Sequence, residues 1–413
     1  MLLQSGYQDS NHRCTWLLKP PAKGQKKLHL NPGHKEHIRI NGEWLMRQQM
    51  AKQWRINLGT GLLPDEWYPD PDLRMAIRSL LRDQRLSISN YGDSQGYAPL
   101  RVRIAEMLMG LKVGTTADQI CLTIGASHGL ELVMRALVRP GDYVLVDEPG
   151  YYNLYSALTG YGVHAIGVPR MDTGPCLETL RKLLNDYKPK AFFTQSIFHN
   201  PTGGCTDPAT AHEILSLAKN HDIYVVEDDV YGDFDDLYRT RIASLDQLNR
   251  VVLIGSFSKS VSASIRIGYV AANIDITNKI NTIKLNGVIG CPSFSEMAVY
   301  AFLTSGNYRK HITRMRERLF IVREVARNKL SELGFTDISS PGGGFFVCAR
   351  HPKIDSASHF SEKAAAANIL LAPGDVFLLN GKTADWFRFN VGHLMKPNGT
   401  ECLQAFIREY LKC

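Results

Sequence analysis

The 413-residue sequence predicts an α/β protein with a large, mostly parallel sheet flanked by helices and a smaller α+β domain beside it. Three observations carry that prediction. Short apolar runs alternate with amphipathic stretches of helical length, the pattern that right-handed crossovers and a parallel sheet require. Runs such as Val251-Val252-Leu253-Ile254 are apolar throughout, as strands buried on both faces are. The chain is 44 % hydrophobic and longer than a single core usually supports, so two packed regions are expected.

Residues 1–55 form a polar arm punctuated by Pro and Gly. Within it the Asn41-Gly42 pair lies between alternating residues of 37–45, which predicts a small hairpin. From Ile56 a loop rich in Gly and Pro, 59–67, precedes a helix near 72–83. Strands are then expected at 119–124, 142–147, 163–168, 190–197, 223–228, 251–255 and 267–272, with helices at 127–138, 151–160, 176–187 and 208–221. Residues 56–290 make up the large domain, their first part contributing to the smaller one. After Pro292 a long helical pattern, with Arg309, Arg314, Arg316 and Arg318 on a polar face, leads to strand signals at 344–349 and 386–391. Residues 291–413 therefore form a connecting helix and a small C-terminal domain. No internal repeat or low-complexity tract is present.

The formal net charge is +8, and much of the excess precedes Asn57, at Lys19, Lys23, Lys26, Lys27, Lys35, Arg39 and Arg47. Such a tract without a recognition fold reads as a solvated arm rather than a specific nucleic-acid surface. The eight cysteines contain no Cys-x-x-Cys pair and no metal-like spacing with His, so they read as reduced, mostly buried thiols of a cytoplasmic protein with no metal site. The start lacks a charged segment followed by an apolar one, and no run is long enough to span a membrane.

The segment Ser256-Phe257-Ser258-Lys259-Ser260, followed by Ile265-Arg266-Ile267-Gly268, carries the most chemistry. Lys259 follows a buried strand, where desolvation and a neighbouring cation lower an amine's pKa and let the neutral amine form a Schiff base with an aldehyde. Hydroxyls of Ser256 and Ser258 and the guanidinium of Arg266 are phosphate donors close to that amine. An aldehyde that carries a phosphate suggests pyridoxal phosphate. Alone, the segment is equally compatible with a surface-loop lysine between solvated serines.

Four other stretches favour the first reading. Tyr224-Val225-Val226-Glu227-Asp228-Asp229 is a strand ending in acids, and an acid at the carboxyl end of a parallel strand borders the ligand crevice. A carboxylate there could keep a pyridine nitrogen protonated. Phe198-His199-Asn200-Pro201-Thr202-Gly203 offers an amide donor beside a tight turn. Thr123-Ile124-Gly125-Ala126-Ser127-His128-Gly129 joins a strand to a helix, where free N–H groups meet an anion. Glu148-Pro149-Gly150-Tyr151-Tyr152 places aromatics where one could stack on a flat ring.

From about Ile56 onward this ordered set resembles the fold-type-I pyridoxal-phosphate enzymes of the aminotransferase class I/II family, and within them the aminotransferase-like half of MocR-type (GntR family) regulators. The resemblance implies that Lys259 is the Schiff-base lysine, Asp228 the partner of the pyridine nitrogen, Asn200 and Tyr231 donors to the ring hydroxyl, and Tyr151 the stacking aromatic. It implies a phosphate cup of Ala126, Ser127, Ser256 and Arg266, completed in a homodimer by Tyr91 of the neighbouring subunit, with sites at the subunit interface. Arg388, in Trp386-Phe387-Arg388-Phe389-Asn390, matches the arginine that grips a substrate carboxylate.

Three functions compete: an aminotransferase on a small amino acid, an elimination or cyclisation of a functionalised, guanidino-type amino acid on the same scaffold, and a cofactor-binding regulator without turnover. The first 55 residues are too short for a winged helix and lack its turn pattern, which favours an enzyme and argues against specific binding of nucleic acid. Asp65, Glu66, Asp233, Asp235 and Asp236 border the expected pocket and could receive a cationic side chain. His128 reads as a packed helix residue or as a phosphate-side donor.

Overall fold

The computed structural model describes residues 40–51, 54–82, 89–339 and 342–412. The basic arm before Ile40, and with it the first residues of the expected hairpin, lies outside the described residues.

The unit from Ile40 to Cys413 is built on an eight-stranded sheet in the order Ile120–Thr123, Gly268–Ala271, Val251–Ser256, Tyr224–Asp228, Ala191–Thr194, Tyr143–Glu148, His164–Met171 and Gly174–Pro175. The strands from Val251–Ser256 through His164–Met171 pair in parallel. Helices Gly125–Leu137, Tyr152–Gly160, Leu177–Tyr187 and Pro208–Asn220 separate strands in the chain, so the central strands are buried along their whole length, as the apolar runs require. Gly268–Ala271 runs antiparallel to both neighbours. The connection 257–267 holds no crossover helix, and without one the chain can return only antiparallel.

The smaller domain carries a four-stranded antiparallel sheet, Thr336–Asp337, Phe346–Arg350, Trp386–Asn390 and Ala372–Pro373. Its core is aromatic: Phe335, Phe360, Phe387 and Phe389 are buried and meet edge-on or tilted. Ile56–Asn57 pairs in parallel with Ile369–Leu370 and ties the start of the described core to this region.

Two expectations are corrected. Asn41-Gly42 is not a hairpin turn but the start of helix Gly42–Ala51, because the Asn41 side chain accepts the Trp44 N–H at 2.8 Å and the helix buries Leu45. The pattern after Pro292 is two helices, Ser293–Thr304 and Asn307–Glu332, broken where Gly306 takes a left-handed φ of +78°. Its arginine face is not wholly solvated either. Arg316 Nε donates to the Asp233 carbonyl at 2.9 Å, and the Arg318 guanidinium lies 3.8 Å from the centre of the Trp67 ring. Among the described residues no helix is long and apolar enough to cross a membrane.

Candidate active site

The parallel strands end on one edge of the sheet, and the segments that leave them there supply Tyr151, Gln195, Asn200, Asp228 and Lys259. Lys259 follows strand Val251–Ser256, and its Nζ donates to the Gly61 carbonyl at 2.8 Å. Burial, with help from Arg388 and Arg266 and against the pull of Asp228, lowers its pKa to about 8. Its amine is therefore far easier to deprotonate than an exposed one. The loop above it is pinned by the smaller domain: Arg388 Nη2 donates to the Gly59 carbonyl at 2.6 Å, and Asn390 Nδ2 to those of Thr60 and Leu62 at 3.0 and 2.7 Å.

Asp228 is buried at the end of its strand, and burial raises its carboxyl to about 7. Its Oδ2 accepts from Gln195 Nε2 at 3.0 Å, while its buried Oδ1 has no hydrogen-bond partner. A buried acceptor without a donor is costly, so Oδ1 fits a ring N–H from a bound cofactor. Tyr151 is the N-cap of helix Tyr152–Gly160; its hydroxyl accepts from Asn153 at 2.9 Å and meets Ser127, and burial pushes it up to about 12. Tyr231 is buried edge-on against Phe345 and Phe346 and feels the charges of Arg388 and Asp228.

A second group of donors faces the helix Gly125–Leu137, whose first turn contains Ala126 and Ser127. Amides of a first helical turn have no partner within the helix and attract anions. Ser256 Oγ bonds Ser258 Oγ at 3.1 Å, and Arg266 donates to Ser258 Oγ at 3.3 Å and to the Ile124 carbonyl at 3.2 Å. Arg266 sits at φ +54°, a conformation costly for a side chain of that size. A Cβ on Gly125 would fall 2.6 Å from Arg266 Nη2, and one on Gly268 would fall 2.8 Å from the Gly125 carbonyl carbon. Two glycines thus make room for this cradle, and two hydroxyls, a guanidinium and a helix N-terminus suit a phosphate dianion. Both donor groups fit pyridoxal phosphate.

Arg388 is 1 % exposed. Its Nη1 donates to Asn200 Oδ1 at 2.7 Å, its Nε has no partner, and its guanidinium lies 4.1 Å from the centre of the Phe346 ring. Among the described residues it forms no ion pair. A buried cation held only by neutral oxygens and ring faces is under-compensated and suits an incoming carboxylate.

Other expected residues lie elsewhere. Tyr91 is 85 % exposed and does not join the buried cluster of its own chain. Asp235 is ion-paired with Arg239 and Arg241, Glu66 with Lys396, and Asp233 accepts from Ser260, while Asp65 and Asp236 are exposed. Asp235 and Glu66 are thus already paired with cations of this chain. His128 accepts the Ile124 N–H through Nδ1 at 3.1 Å, and burial lowers its pKa, so it acts as a packed cap of its helix. Sequence reasoning missed Gln195, although it stands at a strand's carboxyl end as Asp228 does, and Gln49, which reaches the Gly59 carbonyl at 3.2 Å from helix Gly42–Ala51, of which only the first residues fell in the expected hairpin.

The family described as aminotransferase class I and II matches residues 55–406. The 2-aminoadipate transaminase of Thermus thermophilus is 28 % identical over 352 residues, 82 % of this chain and 86 % of that protein. The uncharacterised HTH-type transcriptional regulator YjiR of Escherichia coli is 31 % identical over 348 residues, 81 % of this chain and 73 % of that protein. The crystal structure of Pyrococcus horikoshii kynurenine aminotransferase, in complex with pyridoxamine phosphate and its substrates, superposes with a TM-score of 0.81 at 26 % identity, covering 91 % of this chain and 96 % of that one.

Proposed function

The chain belongs to the class I and II aminotransferases, a family of pyridoxal-phosphate enzymes, and from that premise we propose that it moves the amino group of a small α-amino acid through Lys259. The observation that carries the reading is Arg388, a buried guanidinium bonded only to neutral oxygens, one of them the Gly59 carbonyl in the loop whose Gly61 carbonyl holds Lys259.

Pyridoxal phosphate supplies an electron sink that makes a substrate's α-proton removable. Lys259 would anchor the cofactor through Nζ, and its neutral amine would serve as the base that carries the substrate's α-proton. Its pKa of about 8 leaves a usable neutral fraction near physiological pH. Asp228 Oδ1 would hold a proton on the ring nitrogen, and Asn200 and Tyr231 would orient the ring through its hydroxyl. Tyr151 would cover one ring face. Ala126, Ser127, Ser256, Ser258 and Arg266 would hold the phosphate, and in a homodimer Tyr91 of one protomer would reach the phosphate bound by its partner. Arg388 takes the substrate carboxylate and so fixes which bond of the α-carbon faces Lys259.

The test is to incubate the cofactor-loaded protein with single amino acids and no keto acid. Conversion to the pyridoxamine form supports the reading. A released product with the cofactor back in its aldehyde form would indicate elimination or cyclisation, and absence of conversion with every amino acid would leave a binding protein.

A further inference from the structure

Gln195 directly follows strand Ala191–Thr194 and is 6 % exposed, and both polar groups of its side chain are engaged. Its Nε2 donates to Asp228 Oδ2 at 3.0 Å, and its Oε1 accepts the Asn200 N–H at 2.8 Å. Its own backbone N–H donates to Asp147 Oδ2 at 3.1 Å, an oxygen that also accepts from Thr194 and Arg170. The strand end is thereby fixed as well as the side chain.

The amide can be oriented in only one way. Turned over, it would set its carbonyl oxygen against the Asp228 carboxylate and its NH₂ against the Asn200 N–H, two repulsive pairs in a buried site. Held as it is, the amide supplies a donor to one carboxylate oxygen of Asp228 and none to the other. Oδ1 is left as the acceptor without a partner.

We propose that Gln195 is a positioning residue: it orients the Asp228 carboxylate so that Oδ1 meets the cofactor's ring nitrogen, and it ties that carboxylate to the backbone of Asn200. One side chain then sets the spacing between the groups at the nitrogen edge and the hydroxyl edge of the ring. The burial that raises the Asp228 carboxyl is opposed by the Val230 backbone N–H and by Gln195, so loss of the amide favours a protonated, weaker acceptor. The proposal rests on Asp228 being the ring-nitrogen partner.

The experiment compares affinities of the full-length apoprotein for pyridoxal phosphate and for its 1-deaza analogue, in which C–H replaces the ring nitrogen. The ratio isolates the contact at the nitrogen, because phosphate cup and Lys259 treat both molecules alike. Wild type is expected to prefer pyridoxal phosphate, and Gln195→Met to lower that preference about tenfold, the scale of one well-placed hydrogen bond to a charged group. Equal loss of both affinities, or an unchanged ratio, overturns the role of Gln195 and leaves Asp228 in place. A wild type with no preference overturns both.

Gln195→Glu provides a second readout. The groups around the pair, Lys259, Tyr151 and Tyr231 at Asp228 and Asp147, Arg170 and His199 beside Gln195, are common to wild type and variant. The introduced carboxyl can donate to Oδ2 only while protonated, so the preference should approach wild type at low pH and fall as pH rises. A profile parallel to that of wild type contradicts the proposal.

Discussion

Arg388 Nη1 donates to Asn200 Oδ1 at 2.7 Å, which joins the smaller domain's central strand to the turn after strand Ala191–Thr194. The same guanidinium holds the Gly59 carbonyl at 2.6 Å. Neutral oxygens compensate a buried charge only in part, and a carboxylate entering the pocket would complete the compensation.

Arg388→Ala should therefore raise the amino acid concentration needed for half-maximal conversion by about a hundredfold or more, the scale for removing one partner of a buried charge pair. Cofactor content should be retained, and Arg388→Lys should recover only a part, because an ammonium lacks the planar fork. A change below about threefold in Arg388→Ala would exclude this residue as the carboxylate receptor.

Capture of cofactor should depend on pH through Lys259. With its pKa lowered to about 8, the neutral fraction of the amine rises with pH up to that value and then levels off. The rate at which the visible cofactor band grows in the apoprotein should rise about tenfold per pH unit below that point and flatten above it. A rate still climbing beyond about pH 10 would indicate an ordinary exposed lysine.

Asp228→Asn should keep the cofactor but lower turnover about a hundred- to a thousandfold, the effect of removing one electrostatic partner from a site where charge develops. The same change should stabilise the apoprotein. Burial raises the folded carboxyl of Asp228 to about 7, so the folded state binds its proton more tightly than the unfolded chain does. Wild-type stability then falls as pH rises from the ordinary carboxylate range through about 7, and the asparagine variant escapes that loss. Melting temperatures of the two should differ most above neutrality and converge in acid.

Gly125→Ala should weaken cofactor binding about tenfold or more. The new Cβ falls 2.6 Å from Arg266 Nη2 at a residue with φ +72°, so both the cradle and the backbone must shift. Inorganic phosphate should compete less well against the variant than against wild type, read by displacement of the bound visible band. Unchanged competition would remove Arg266 and the first turn of that helix from the phosphate site.

Much of this was legible in the sequence because central strands such as Ala191–Thr194 and Val251–Ser256 are buried along their length and chemistry follows the carboxyl ends of the parallel strands. Asp228 and Lys259 stood out for that reason. Gln195 did not, since an uncharged amide after Thr194 reads as an ordinary strand end until its partners are seen. Helix Ala98–Gly110 was hidden because its apolar and charged residues mix around the axis, and Arg101 among them is buried, donating to the carbonyls of Gly96 and Ala117. The Asn41-Gly42 pair misled because one short dipeptide serves a hairpin turn and a helix start alike, and only Leu45 packing beside Tyr152, Leu370 and Phe377 decides between them. The antiparallel course of Gly268–Ala271 depends on the connection before it, not on the strand's own residues.

The central claim, that one lysine carries the cofactor, is tested most directly by borohydride reduction of the pyridoxal-phosphate-loaded protein followed by peptide mapping. The account predicts a single stable adduct on the peptide containing Lys259, lost in Lys259→Ala while that variant still binds the cofactor reversibly through Arg266 and the helix N-terminus. An adduct on any other lysine, or one that persists in Lys259→Ala, would contradict it.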